Sequence, residues 1–139
     1  MSAATGDFTG GCACGDVRYR AQGPALFGLL CYCVDCQRAS GATHVPIVGV
    51  ARDRFEASGP IVQAISRGGS GMRAIRNRCA NCGALLFGTP EAAPELVTIY
   101  AGSLDDPSLA RLTKAQFVRH RPVWDTSGAG LASQEGAAP

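Results

Sequence analysis

Seven cysteines are the residues of this 139-residue chain whose types and spacing could do chemistry. They form three groups in which neighbouring cysteines are separated by one or two residues: Cys12 and Cys14, then Cys31, Cys33 and Cys36, and finally Cys79 and Cys82. Thiolates at this spacing can reach one ion from a single tight turn, and tetrahedral thiolate sites are typical of Zn²⁺. The grouping therefore predicts a zinc-binding protein.

The first and last groups share a glycine directly after their second cysteine, Gly15 and Gly83. A turn that wraps a metal commonly needs a residue at positive φ, which glycine adopts without a Cβ clash, leaving backbone N–H groups free to face the sulfurs. We therefore predict that the two turns combine into one closed, structural four-thiolate site. Its ligands are Cys12, Cys14, Cys79 and Cys82.

The middle group supplies three ligands, Cys31, Cys33 and Cys36, and no evident fourth. Three protein ligands are usual at a catalytic zinc, whose fourth position is kept for water or substrate. Three thiolates leave about one net negative charge on the complex, which disfavours water activation and favours thiol chemistry. Two alternatives stay open: closure of the site by Asp35 or His44, and a reactive cysteine cluster without metal.

The elements that must position these cysteines are short. The apolar segments lie close to Gly, Pro, Ser or Asp and cover residues 26–30, 45–50, 61–65, 85–87 and 96–100. Their length and their Val, Ile, Phe and Tyr content favour strands, and no window sustains a helical apolar period over more than about three turns. Short helical turns are predicted at 35–40, ending at Gly41, and at 106–111. The fold class is therefore mainly β.

The length suits one domain, which we place at residues 7–124, between a flexible N-terminus at 1–6 and a disordered Gly/Ala-rich tail at 125–139. No basic-apolar signal segment and no apolar run approaching ~20 residues is evident, so the expectation is a cytoplasmic protein without a membrane partner. A reducing cytoplasm and an odd cysteine count argue against a disulfide framework.

The net charge of +2 is too small to indicate nucleic-acid binding by bulk electrostatics. The basic residues are nevertheless uneven, because one stretch without Asp or Glu holds Arg67, Arg73, Arg76 and Arg78. Clustered guanidinium groups bind carboxylates through bidentate hydrogen bonds. A small anionic ligand therefore remains a candidate partner, although exposed solubilising charge would give the same pattern.

Four motifs, at residues 11–19, 31–41, 79–83 and 101–107, follow one another in the order of a known family. With them the chain resembles the glutathione-dependent formaldehyde-activating enzyme family, which also includes the centromere protein V group. The resemblance implies an Mss4-like antiparallel β architecture held together by structural zinc, with short helical turns. It also implies two zinc ions per chain, with a catalytic ion at Cys31, Cys33 and Cys36.

The activity implied by this resemblance joins glutathione and formaldehyde to give S-hydroxymethylglutathione, a carbon–sulfur lyase reaction when written in reverse. The partners would be a small-molecule thiol and an aldehyde, with glutathione as co-substrate. Its two carboxylates make Arg73 and Arg76 the predicted contacts for the co-substrate. The product oxygen needs a proton, for which His44, Asp35 and water are the candidates.

A second hypothesis is a non-enzymatic zinc-binding module that serves partner binding or redox and metal sensing. The chain departs from the family at Arg78, where an aromatic residue is usual. It also has Gln116, Phe117 and Val118 where a His followed by large apolar residues is frequent. Trp124 could flank a ligand, but we predict that it closes the core, as large aromatic residues usually do. Assembly into a homo-oligomer stays open.

Overall fold

Eleven short strands and one α-helix form the described part of the chain in a computed structural model, which describes residues 6–138. In chain order they are β1 (Phe8–Gly11), β2 (Arg18–Ala21), β3 (Phe27–Cys31), α1 (Val34–Ser40), β4 (Val45–Ala51), β5 (Phe55–Ser58), β6 (Ile61–Arg67), β7 (Arg73–Cys79), β8 (Leu85–Gly88), β9 (Leu96–Tyr100), β10 (Lys114–Gln116) and β11 (Ala132–Ser133). All five apolar segments predicted as strands form β3, β4, β6, β8 and β9.

The strands form two sheets. A three-stranded antiparallel sheet has the order β1-β2-β5, and an eight-stranded sheet has the order β11-β10-β3-β4-β9-β8-β7-β6. The larger sheet is antiparallel from β3 to β6, while β10 pairs in parallel with β3 and β11. The mainly β, mostly antiparallel architecture expected from the sequence is therefore confirmed.

Side-chain alternation along β4 and β9 separates two buried clusters. Val48 pairs with Ile99, and both belong to the cluster that contains Phe8 from the three-stranded sheet. One residue away, Ile47 pairs with Tyr100, and both belong to the cluster that contains the middle cysteine group. Because neighbouring residues of a strand face opposite sides, the larger sheet presents one face to the smaller sheet and the other to these cysteines.

Both predicted helical turns are present. Helix α1 ends at Gly41, whose φ of 75° provides the left-handed C-terminal stop. A 3₁₀ turn spans Pro107–Leu109, and the Asp106 carboxylate accepts a hydrogen bond from the Ser108 N–H at 3.1 Å. Over residues 6–138, no helix has the length and hydrophobicity that a membrane crossing requires.

The C-terminal residues lie along β10 over their described part. β11 pairs with β10, and the Phe117 N–H donates to the Gly136 carbonyl at 2.8 Å. This arrangement differs from the disordered tail predicted for residues 125–139, because backbone hydrogen bonds to a sheet need no apolar periodicity. The flexible segment predicted for residues 1–6 lies outside the described residues except for Gly6.

Trp124 does not close the core, so that prediction is wrong. Its side chain is 74% exposed, and the adjacent Val123 is 98% exposed. The next residue, Asp125, is buried instead and accepts hydrogen bonds from His44 and Thr43. The inward turn at Asp125 leaves the preceding residues on the surface.

Candidate metal centres

The first and last cysteine groups converge as the sequence predicted. The sulfurs of Cys12, Cys14, Cys79 and Cys82 all lie within 4.8 Å of one another. The Cys14 sulfur is 3.5 Å from that of Cys12 and 3.8 Å from that of Cys79. Sulfurs bound tetrahedrally at 2.3 Å from one zinc ion are about 3.8 Å apart, so the cluster has the dimensions of a closed four-thiolate site.

The turns that carry this cluster depend on their glycines. Gly15 and Gly83 have φ angles of 87° and 78°, the left-handed region in which a Cβ is unfavourable. In the first turn, the Val17 N–H donates to the Cys12 sulfur at 3.2 Å, and this hydrogen bond is the main reason why the pKa of Cys12 is lowered. Backbone N–H groups thus stabilise thiolate in a turn that already has the shape for binding a cation.

The middle cysteines converge from the junction of β3 and α1. Cys31 ends β3, Cys33 caps the helix, and Cys36 lies in its first turn. Their sulfurs lie within 4.8 Å of one another, and each residue is at most 5% exposed. The Cys36 N–H donates to the Cys33 sulfur at 3.2 Å. A strand end followed by a helix cap therefore brings three sulfurs together within six residues of sequence.

Neither fourth ligand considered from the sequence joins this cluster. Within residues 6–138, the group of converging donor atoms contains the three cysteine sulfurs and no His, Asp or Glu. Asp35 instead accepts hydrogen bonds from Arg76 at 2.6 Å and from Ser66 at 2.9 Å. The His44 Nδ1 atom lies 2.8 Å from Asp125. The cluster therefore offers a metal three protein ligands.

The charge on the three sulfurs indicates what the cluster can hold. Hydrogen bonds from the thiols of Cys31 and Cys36 stabilise a Cys33 thiolate, so the pKa of Cys33 lies far below its ordinary value. Because Cys31 and Cys36 are hydrogen-bonded to their neighbouring cysteines as thiols, losing their protons is unfavourable. The pKa of Cys31 is therefore raised to about 11, and the pKa of Cys36 is raised as well. Three thiolates can coexist only beside a cation, and a soft sulfur donor set suits Zn²⁺.

The triplet opens onto a cleft of about 340 Å³, whose wall is formed mainly by β7, β9, the turn at 68–72 and Phe117. Tyr100 lines this cleft beside Gly88, where an added Cβ would lie 2.9 Å from the Tyr100 hydroxyl oxygen. Burial is the main cause that raises the pKa of Tyr100 to about 12, so its hydroxyl stays protonated near neutral pH. Tyr100 was not among the residues expected at the site from the sequence, although it directly precedes the motif at 101–107.

The two arginines predicted to contact a co-substrate both line the cleft but differ in their surroundings. Arg73 has a side chain that is 61% exposed and pairs with Glu91 at 2.8 Å. Arg76 is only 4% exposed. Its Nη1 donates to Asp35 at 2.6 Å, and its Nη2 donates to the Cys36 sulfur at 3.4 Å. The guanidinium of Arg76 is thus already bound to a carboxylate and a cluster sulfur.

Replacing Arg76 by methionine is expected to weaken zinc binding by the triplet about tenfold to a hundredfold, the usual effect of losing a group that supports metal ligands. The substitution removes a positive charge next to Cys36 and leaves the Asp35 carboxylate without its partner. Competition with a chromophoric chelator measures the affinity of the weaker zinc site.

The matched control is Arg73→Met, the same change three residues earlier on β7, which should leave the affinity unchanged. Arg76→Lys should retain more zinc affinity than Arg76→Met because lysine keeps the positive charge. Equal affinities of Arg76→Met and Arg73→Met would contradict a role of Arg76 at the sulfurs.

Comparison with known proteins gives one family and one fold. A family model described as glutathione-dependent formaldehyde-activating enzyme matches residues 7–120. The structure is similar to the crystal structure of a Rhodobacter sphaeroides protein, a structural genomics target, with a TM-score of 0.55 and 14% identity over 91% of this chain and 98% of that chain. At this identity the similarity supports the fold alone. No curated protein matches the sequence.

Proposed function

The chain belongs to the glutathione-dependent formaldehyde-activating enzyme family, and its fold is Mss4-like. From that premise we propose that it is a zinc-dependent enzyme of the carbon–sulfur lyase type, acting on the adduct of a thiol and an aldehyde. Glutathione and formaldehyde, which form S-hydroxymethylglutathione, are the proposed substrates. The two cysteine clusters would hold two zinc ions per chain, the first structural and the second catalytic.

One observation carries this proposal: the triplet of buried cysteines faces a cleft and gathers no fourth ligand from the described residues. A closed four-thiolate site would leave a substrate sulfur no place to bind, whereas three ligands leave one. The cleft volume of about 340 Å³ is at the lower end of the range for small-molecule sites. A tripeptide thiol would therefore enter it with its sulfur end and leave its other parts at the rim.

The residues around the cleft have separable roles in the proposed reaction. Zinc held by Cys31, Cys33 and Cys36 would keep a bound substrate thiol deprotonated at neutral pH. Arg76 offsets the negative charge of the sulfurs from its buried position beside Cys36. Arg73, exposed at the rim, is the proposed contact for a substrate carboxylate. Holding thiol and aldehyde together in the cleft replaces a bimolecular encounter.

Tyr100 is the proposed proton donor. When the substrate sulfur bonds to the aldehyde carbon, the C=O electron pair moves to oxygen, and that oxygen then needs a proton. Tyr100 lines the cleft, and its hydroxyl stays protonated because burial raises its pKa to about 12. His44 does not line the cleft, and Asp35 is engaged by Arg76 and Ser66. Of the titratable groups considered, Tyr100 is therefore the best placed.

Exchange spectroscopy by NMR tests the reaction directly. Zinc-loaded wild-type protein is expected to accelerate the interconversion of formaldehyde plus glutathione with S-hydroxymethylglutathione well above the spontaneous rate. The Tyr100→Phe variant should keep its zinc and lose roughly a hundredfold or more of the acceleration, as expected for loss of a general acid.

The matched control is Tyr19→Phe, since Tyr19 is also buried but belongs to the cluster beneath the smaller sheet. The Tyr19→Phe variant, once shown to be folded, should accelerate the exchange of formaldehyde and glutathione as much as wild type does. A fully zinc-loaded wild type that leaves the spontaneous rate unchanged would refute the reaction and favour a non-enzymatic zinc-binding module.

A further inference from the structure

A second recess, of about 260 Å³, lies beside the triplet and shares Cys33 and Phe117 with the cleft. Three arginines from separate parts of the chain line it: Arg38 from α1, Arg67 from the end of β6, and Arg119 from the turn after β10. None of these three was assigned to the site from sequence, where Arg73 and Arg76 were the predicted contacts. The fold therefore collects positive charge next to a cluster sulfur.

The charge in this recess is not balanced by the residues that line it. Among the described residues that line the recess, Asp35 is the only carboxylate, and it already pairs with the buried Arg76. None of Arg38, Arg67 and Arg119 takes part in an ion pair within residues 6–138. Their three charges exceed the net charge of +2 of the whole chain. Like charges held near one another attract an anion to the space between them.

The backbone at Phe117 shapes the recess. Phe117 has φ 56° and ψ 38°, a left-handed conformation that is unfavourable for a residue with a Cβ. Its ring packs against Gly69, where an added Cβ would lie 2.6 Å from the ring. The guanidinium of Arg119 lies over the same ring, 5.8 Å from its centre. Strained backbone persists where surrounding contacts hold it, and such residues cluster at ligand sites.

We propose that this recess binds a carboxylate of the thiol substrate whose sulfur enters the cleft beside Cys33, so that Arg38, Arg67 and Arg119 select substrates with a carboxylate at that position. The proposal rests on the proposed function only for the statement that a thiol is the substrate. Guanidinium groups bind carboxylates through paired, charge-assisted hydrogen bonds. Arg38 forms no side-chain hydrogen bond within the described residues, and Arg67 donates only to the Gly71 carbonyl at 2.7 Å, so both have donors to offer.

Thiol binding to the cobalt(II)-loaded protein, followed by its visible absorption, tests the recess without any turnover. The two probes are 3-mercaptopropionate and its amide, 3-mercaptopropionamide, which differ in charge and hardly in size. Wild type is expected to bind the carboxylate about tenfold more tightly, the effect of one good charge-assisted contact. The preference should fall as salt is added, because the arginines are exposed.

Arg38→Gln and Arg119→Gln should each reduce that preference to about twofold or less. Arg38→Gln removes no side-chain hydrogen bond or ion pair of the described residues, so its effect would report the loss of charge. The matched control is Arg20→Gln, an exposed arginine of β2 in the smaller sheet, which changes the net charge equally and should keep the wild-type preference.

Three results would overturn the proposal: equal affinities of wild type for the two probes, no binding of either probe, or an equal loss of preference in Arg20→Gln. The proposed function fails by a different result. Carboxylate-selective binding without any acceleration of the glutathione and formaldehyde exchange would refute the reaction and still support the recess.

Discussion

Cys79→Ser is expected to unfold the domain even when zinc is supplied in excess. Cys79 ends β7 of the larger sheet and is 1% exposed, while Cys12 directly follows β1 of the smaller sheet. A metal ion bound between them would join the two sheets across a long loop of chain. Structural zinc of this type contributes on the order of 10 kcal/mol, whereas the net stability of a domain is about 5–15 kcal/mol. Removing one ligand should therefore cancel most of the stability.

Near-ultraviolet circular dichroism and thermal unfolding measure this loss, together with the zinc content of the purified protein. We expect Cys79→Ser to show no cooperative transition, whereas Cys31→Ser should unfold cooperatively and contain one zinc ion per chain. The comparison is matched, because the same substitution is made at a buried cysteine that ends a strand. A Cys79→Ser protein as stable as wild type would contradict a structural role for the first cluster.

Cys33→Ser is expected to abolish catalysis while the domain stays folded. Cys33 lies where the cleft and the arginine-lined recess meet, and its sulfur accepts a hydrogen bond from the Cys36 N–H in the first turn of helix α1. Serine can still cap the helix, since its hydroxyl oxygen accepts the same hydrogen bond. It does not supply the thiolate that zinc prefers. The exchange of formaldehyde and glutathione should therefore fall at least about a hundredfold, to near the spontaneous rate.

Exchange spectroscopy and metal analysis on the same sample separate the outcomes. Cys33→Ser should retain one zinc ion and a cooperative unfolding transition. Val62→Ala, a change at an exposed residue of β6 that lines neither the cleft nor the recess, should accelerate the exchange as much as wild type does. Full activity in Cys33→Ser would exclude the triplet as the reactive centre, whatever the metal content.

Local features of the sequence predicted much of the site. The spacing of the cysteines and the glycines after Cys14 and Cys82 indicated which sulfurs would meet, and the structure brings both groups together. The residues of such turns and half-sites lie within a short stretch of sequence. They can therefore be recognised from a single amino-acid sequence. That these clusters hold zinc, and that the second is catalytic, stays a prediction.

Strand β7 is an element that hydrophobic periodicity in the sequence did not predict. Its residues, Arg73–Cys79, include three arginines and an asparagine, so the apolar pattern of a strand is missing. Arg76 and Asn77 are nevertheless buried there, because Arg76 binds Asp35 and Asn77 donates to the Phe87 carbonyl at 3.1 Å. Buried polar residues with partners give no signal in hydrophobic periodicity.

The sequence by itself determined the cysteine groups, the turns that carry them, most strands of the larger sheet and the family. Only the tertiary structure decided which polar residues that are distant in the chain pair with each other. Arg76 and Asp35 are 41 residues apart in the chain, and His44 and Asp125 are 81 apart. Such pairs form because burying a polar or charged group without a partner is unfavourable. The partners that are within reach depend on how the strands are arranged in space.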